Sequence, residues 1–192
     1  MKAKMRTHAP APAKPLRGKK TWREKLHDAK DLPKVGPVCR NMAGVKIGER
    51  MVIPAPIEVD ALMRRVPRGQ LTTIDDLRTS LAAKHRADVT CPITTGIFAW
   101  IAAHAADEAF AAGEAEITPY WRTLKNKGEI NPKYPGGLPA LTARLEAEGH
   151  VVFQKGKRWY VRDFERALTR FTPPKASRTS STRRQKSSRA TD

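Results

Sequence analysis

Cysteine is scarce: the 192 residues include only Cys39 and Cys91. Neither a disulfide framework nor a cysteine-rich zinc site is possible, and two lone thiols suit a reducing cytosol. No apolar run approaches the length of a membrane span, which excludes an integral helical membrane protein. The first residues have no apolar stretch of the secretory kind. They are acid-free up to Glu24, as transit peptides are, but rich in proline and without amphipathic spacing, so a cytoplasmic protein is expected. Acidic residues are also few, 19 against 37 Lys and Arg, for a formal net charge of +18. A chain this basic repels itself when compact, so its natural partner is a polyanion, either nucleic acid or an anionic surface. Hydrophobic residues make up 40%, enough for the core of one ordinary domain.

The excess charge is concentrated at the ends. Residues 1–30 hold ten basic and two acidic residues, and 171–192 hold six basic and one acidic. Met1 to Lys20 is mostly Ala, Pro and Lys, and Ser177 to Asp192 is mostly Ser, Thr and Arg. Such compositions bury too little apolar surface to offset the entropy of ordering. A disordered basic arm is expected over 1–20 and a similar tail over 171–192, both lying along phosphates and releasing counterions. Residues 21–56 read as an N-terminal extension and 57–170 as the folded domain.

Within that domain Val59, Leu62, Met63 and Val66 fall at helical spacing before Pro67, and Arg68-Gly69 makes a turn. Thr73 with Asp76 three residues on caps a second helix whose buried face carries Leu77 and Leu81 and which closes on Lys84, His85 and Arg86. Thr90 and Pro92 open a long Ala-rich helix, with Ile93, Ile97, Trp100, Ile101 and His104 on one face, that ends near Gly113. Phe98 and Trp100 read as core. Leu138 to Glu148 forms another helix closed by Gly149, and the triplets 151–153 and 159–161 flank a short basic loop as a β-hairpin. The pattern is mainly α: a winged helix-turn-helix-like DNA-binding domain with a small hairpin. His85, His104 and His150 are too scattered for a metal site, and no cofactor is expected.

One segment is more specific. Thr118-Pro119-Tyr120-Trp121-Arg122 is followed by Gly128 six residues after the arginine, then Tyr134-Pro135-Gly136-Gly137, then Leu145, Glu148 and Gly149; upstream stands Val66-Pro67-Arg68-Gly69-Gln70-Leu71-Thr72-Thr73. These elements resemble the DNA-binding domain of 6-O-alkylguanine-DNA alkyltransferases and the related alkyltransferase-like proteins. That family carries Pro-Cys-His-Arg-Val, then Gly, Tyr-x-Gly-Gly and Leu-x-x-Glu-Gly, after an Ile-Pro-x-Gly-x-Val-Thr-Thr lead-in. The resemblance spans roughly 57–165.

The departures are informative. Tyr120 stands where the family has its alkyl-accepting cysteine, and Trp121 where it has the histidine that deprotonates that cysteine. A phenol with a pKa of about 10 is a poor nucleophile at neutral pH, so self-alkylation at Tyr120 is not expected. Alkyltransferase-like proteins have lost the same cysteine, commonly to tryptophan, and bind alkylated bases without repairing them. An aromatic at Tyr120 is similar to that class. The resemblance places Tyr120, Trp121 and Tyr134 around a base pocket, although Tyr134 reads equally well as a packed loop tyrosine beside Gly136 and Gly137. It makes Arg122 a structural pairing residue near the pocket floor, with a direct lesion contact as the alternative. Glu148 loses the histidine it would orient and is expected to accept a tyrosine hydroxyl or backbone donors. Ile74, after Thr73, occupies the place of the family's aromatic wedge, and Ile93, three residues before Gly96, that of its arginine finger. An isoleucine can push but has no donors to replace an extruded base. The connection from Gly96 to Tyr120 is longer than the family's.

The expected function is therefore a non-enzymatic, monomeric protein that binds double-stranded DNA and is linked to repair, with alkylated DNA and a repair-pathway protein as candidate partners and a recognition helix near 91–112. An architectural DNA-binding module is the alternative. A transferase acting through Cys91, at a helix start where the dipole favours thiolate, is the enzyme alternative.

Overall fold

The computed structural model describes residues 20–39 and 44–171. Nearly all of the two basic arms expected from composition lies outside the described residues.

The extension left unassigned by sequence contributes three elements. Helix α1 (Trp22–His27) starts on a reciprocal cap, in which the Glu24 amide donates to Thr21 Oγ1 and the Thr21 amide donates to the Glu24 carboxylate. Strands β1 (Lys34–Pro37) and β2 (Arg50–Ile53) pair antiparallel, and β4 (Val89–Thr90) joins β2 in parallel. The domain proper holds α2 (Pro56–Arg64), α3 (Ile74–Lys84), α4 (Pro92–Ala111) and α5 (Gly137–Glu146). Strand β3 (Thr72–Thr73) pairs with β5 (Thr123–Leu124), and β6 (Val152–Lys155) pairs with β7 (Arg158–Val161) as the expected hairpin. The hairpin strands reach further into the basic loop than their apolar triplets indicate and leave a tight turn at Gly156-Lys157.

The cap of α3 forms as its sequence requires: the Asp76 amide donates to Thr73 Oγ1, and the Thr73 amide donates to the Asp76 carboxylate. Lys84 and His85, at the end of α3, both reach Glu58 of α2 and tie the two helices together.

Helix α4 corrects the expected face. Its buried side is Thr95, Ala99, Ala102, Ala103, Ala105, Ala106 and Ala109, whereas Ile93 is 61% and Ile97 48% exposed. Alanines leave room for neighbouring helices to approach closely, and α1 and α2 take that room. At 1.5 Å per residue the 20-residue helix is about 30 Å long. This length accounts for the long connection between Gly96 and Tyr120, because α4 continues to Ala111 before the chain turns. Helix α1 roofs the second half of α4. The Trp22 ring stacks on His104 at 4.5 Å and meets Trp100 edge-on at 4.6 Å, and the Arg23 amide donates to Glu108. Trp100 and Phe98 are partly buried against the core.

Candidate nucleic-acid interface

The short β3–β5 ladder places the Thr-Thr lead-in beside the motif, pairing Thr72 with Thr123 and Thr73 with Leu124. Thr73 spends its side chain and amide on the α3 cap. Immediately before β5, Tyr120–Arg122 forms a single 3-10 turn.

Tyr120 is buried, and its ring meets Trp121 edge-on at 5.5 Å and Tyr134 edge-on at 6.0 Å. Tyr134 is buried as well, and burial pushes its phenol well above the usual tyrosine value. Burial also raises Tyr120, against a smaller opposing influence of Arg144. The two tyrosines are packed side chains in the core, and half-buried Trp121 is the member of the trio that reaches the surface. Over it lies Arg144 of α5, its guanidinium carbon 4.5 Å from the Trp121 ring centroid and 5.6 Å from that of exposed Phe110. Gly136 (φ +77°) and Gly137 (φ +61°) turn the chain from Tyr134 into α5. A Cβ on Gly136 would strike that of Ala140, so the turn needs glycine there.

Glu148 meets the expectation in part: the Gly69 amide is a backbone donor to it, and its other donors are side chains. No tyrosine hydroxyl reaches it among the described residues. It instead accepts the Trp121 indole N–H at 2.8 Å, three contacts from Arg122 Nε and Nη2 at 2.8–3.0 Å, and the Gly69 amide at 3.1 Å. The acid thus holds the side chain at position 121 through its indole N–H. Arg122 Nη1 donates further to the Val66 carbonyl at 2.7 Å. Burial pushes the Glu148 carboxyl up, but the donors from Arg122, Trp121 and Gly69 outweigh it and hold the group below the usual carboxylate value.

Two surface hollows flank the segment 125–133. One, of about 380 Å³, is lined by Ile74, Lys125, Asn126, Lys127, Glu129, Arg158 and Tyr160. Glu129 pairs there with Lys125 at 2.6 Å and Arg158 at 3.4 Å, which leaves the hollow positive overall. The other, of about 600 Å³, is bordered by Ile93, Gly96, Ile97, Trp100, His104 and Lys133, and its lining includes no acid. The 125–133 segment borders both, so the hollows at Ile74 and Ile93 are joined by a stretch that carries Lys125, Lys127 and Lys133. Lys125, Lys127, Lys133 and Arg144 were not singled out by sequence. Their signal was only that basic residues cluster after the motif.

Cys91, the N-cap of α4, is buried, and among the described residues no hydrogen bond reaches its sulfur. No described helix is long and apolar enough to cross a membrane.

No family model and no curated protein matches the chain. Among solved structures the chain is similar to S. pombe Atl1 in complex with damaged DNA containing O6-carboxymethylguanine, at 16% identity and a TM-score of 0.41. It is likewise similar to S. pombe ATL in complex with DNA, at 15% identity and a TM-score of 0.40; each match covers 60% of this chain and 94% of the other.

Proposed function

We propose that the chain is a non-catalytic DNA-binding protein of the alkyltransferase-like kind, which holds alkylated guanine in duplex DNA and marks it for a repair pathway. The observation that supports this most is the state of the motif: Tyr120 is buried against Tyr134, and Trp121 and Arg122 are fixed on Glu148. Alkyl transfer needs an accessible, deprotonated nucleophile. Here the position carries a phenol whose ionisation burial disfavours, and the neighbouring indole cannot act as a base. Among the described residues no hydrogen bond reaches the buried thiol of Cys91.

The geometry suits DNA as the ligand. In this reading α3 and α4 serve as the helix-turn-helix and the hairpin as its wing, a role supported by the exposure of Ile93 and Ile97 on α4 and by Arg158 in the lining of the positive hollow. The lysines of the 125–133 segment supply phosphate contacts, which position the protein without reading sequence. A guest base would stack on Trp121 by displacing the Arg144 guanidinium, exchanging a cation–π contact for base stacking.

The second reading, an architectural module without lesion recognition, is favoured by the closed packing of Tyr120 and Tyr134. One experiment separates the possibilities. Intact-protein mass is measured after incubation with excess duplex bearing 6-O-methylguanine, and affinity for that duplex is measured in parallel. The proposal expects unchanged mass and tighter binding than to the unmodified duplex. A stoichiometric mass gain abolished by Cys91→Ala would establish the transferase instead. Unchanged mass with equal affinities would leave the architectural module.

A further inference from the structure

Helices α2 and α3 leave between them a groove of about 540 Å³ that the DNA-binding reading does not use. Its α2 side is a stripe of Glu58, Ala61, Leu62 and Arg65, at i, i+3, i+4 and i+7. Its α3 side runs from Thr79 to Lys84, and Leu62, Leu81 and Phe171 give it apolar surface. Ala61 and Ala83 are exposed along its length, and their small side chains keep it open to a third element. From Glu58 to Arg65 it extends about 10 Å at 1.5 Å per residue, which matches two turns of a third helix. At one end Lys84 and His85 both bond to Glu58, the single acid of the lining. At the other Arg65 is exposed, its guanidinium carbon 5.6 Å from the Phe171 ring, and no described carboxylate pairs with it.

The chain that continues from Phe171 is a poor match for this groove. Residues 172–192 include no Leu, Ile, Val, Met or aromatic side chain, and they hold six basic residues against one acidic. They bring no apolar anchor, and their charge has the sign of Arg65. We infer that the groove receives a short amphipathic helix of another protein, with apolar side chains one turn apart facing Leu62, Leu81 and Phe171 and with acidic residues beside them that meet Arg65. Burial of the anchors supplies the attraction, and the acid fixes the direction in which the helix lies. On a protein of formal net charge +18, an acidic partner is also drawn in faster than a basic one. The groove shares no lining residue with the two hollows beside the 125–133 segment, so duplex and helix can be held together. Resting on the proposed function for its purpose, the inference gives the marking of a lesion a surface through which a second protein is recruited.

The test titrates the full chain with synthetic peptides of about 16 residues, long enough to form a helix. One is amphipathic, with leucines on one face and glutamates beside them; the second is its scrambled isomer; the third replaces the glutamates by lysines. NMR amide and methyl shifts locate the site and give the affinity. The acidic amphipathic peptide is expected to bind about tenfold tighter than either control, with shifts centred on Ala61, Leu62 and Ala83. Ala83→Glu should weaken it about tenfold through bulk and repulsion, and Arg65→Glu should turn the preference towards the lysine peptide. Both positions are exposed, so circular dichroism of the variants should match wild type. Affinity for an unmodified duplex should stay within about twofold in Ala83→Glu and in the presence of saturating peptide. Equal binding of the scrambled peptide, shifts centred elsewhere, or competition between peptide and duplex would overturn the inference. Self-association abolished by Ala83→Glu would make a second copy the occupant, and shifts in residues 172–192 caused by Ala83→Glu in the free protein would make the chain's own end the occupant; either result overturns it too. Peptide binding as expected with no binding to any duplex would sink the DNA reading and leave the groove standing.

Discussion

Replacing Glu148 by glutamine keeps the side chain's shape and removes its charge at the point where three segments meet. The carboxylate receives Trp121, Arg122 and the Gly69 amide, and Arg122 in turn holds the Val66 carbonyl, so the pair fixes the 66–69 turn, the 120–122 turn and the end of α5. The side chains are 13% and 7% exposed for Arg122 and Glu148, so the variant leaves a guanidinium largely out of water without its counter-charge. Breaking a buried pair from one side costs about 3–5 kcal/mol. Because Glu148 also borders a surface hollow with water access, the lower end, about 3 kcal/mol, is expected. For a domain of this size that corresponds to a fall in Tm of roughly 6–12 °C. Urea unfolding of Glu148→Gln, Arg122→Met and the double variant would show a coupling energy of about 1–3 kcal/mol, since the second substitution removes the charge the first left stranded. The pH dependence has a definite sign. The folded-state pKa of Glu148 is lowered from 4.5, so its stabilisation is complete above that value and is lost as pH falls through the folded pKa. Glu148→Gln should flatten the acid limb in that range. Stability within about 0.5 kcal/mol of wild type, or additive single effects, would refute the network as described.

Three further outcomes follow from other parts of the molecule. Burial, the largest influence on each, lowers His104 and His150 below 6.5, so the unfolded chain takes up protons first and stability should begin to fall as pH drops below about 6.5; thermal melts of His104→Gln and His150→Gln between pH 7 and 5 would show a shallower slope. Gly128 has φ +75°, and a Cβ there would run into the Phe164 ring, so Gly128→Ala should cost about 2 kcal/mol or more by urea unfolding, and a neutral result would contradict that packing. Removing Lys127 and Lys133 together should reduce the slope of log affinity against log salt by about 1.8 while weakening intact and lesion-bearing duplexes equally, and an unchanged slope would place the phosphates elsewhere.

The parts legible in the sequence were those governed by local chemistry. Thr73 and Asp76 announce the α3 cap, Pro92 and Gly113 bound α4, and two β-prone apolar triplets around a Gly-containing loop give the hairpin, because caps, prolines and turn glycines act within a few residues. What was missed depends on contacts far apart in sequence. Ile93 and Ile97 have the spacing of a core face, yet the helix turns its alanines inward because α1 and α2 pack closely there, and no local pattern shows which face finds neighbours. The 21–56 extension looks featureless because its short strands acquire meaning only when β2 pairs with β4, and Trp22 only when it meets His104. At the candidate site, the motif located Tyr120, Trp121 and Glu148, but not that Tyr120 is sealed against Tyr134 or that the indole holds the acid. Those facts depend on the β3–β5 register and on where α5 ends.

The proposed function requires that the protein bind alkylated guanine through Trp121 without reacting with it. The most direct test is the affinity ratio between a duplex carrying one 6-O-methylguanine and its unmodified twin, measured for wild type and for Trp121→Ala, with the folded state of the variant confirmed. Stacking of a base on an aromatic contributes roughly 1–3 kcal/mol. The account predicts that wild type favours the lesion by about tenfold or more and that Trp121→Ala brings the ratio close to one while retaining affinity for the unmodified duplex. A wild-type ratio of one, or a lesion preference untouched by Trp121→Ala, would contradict it.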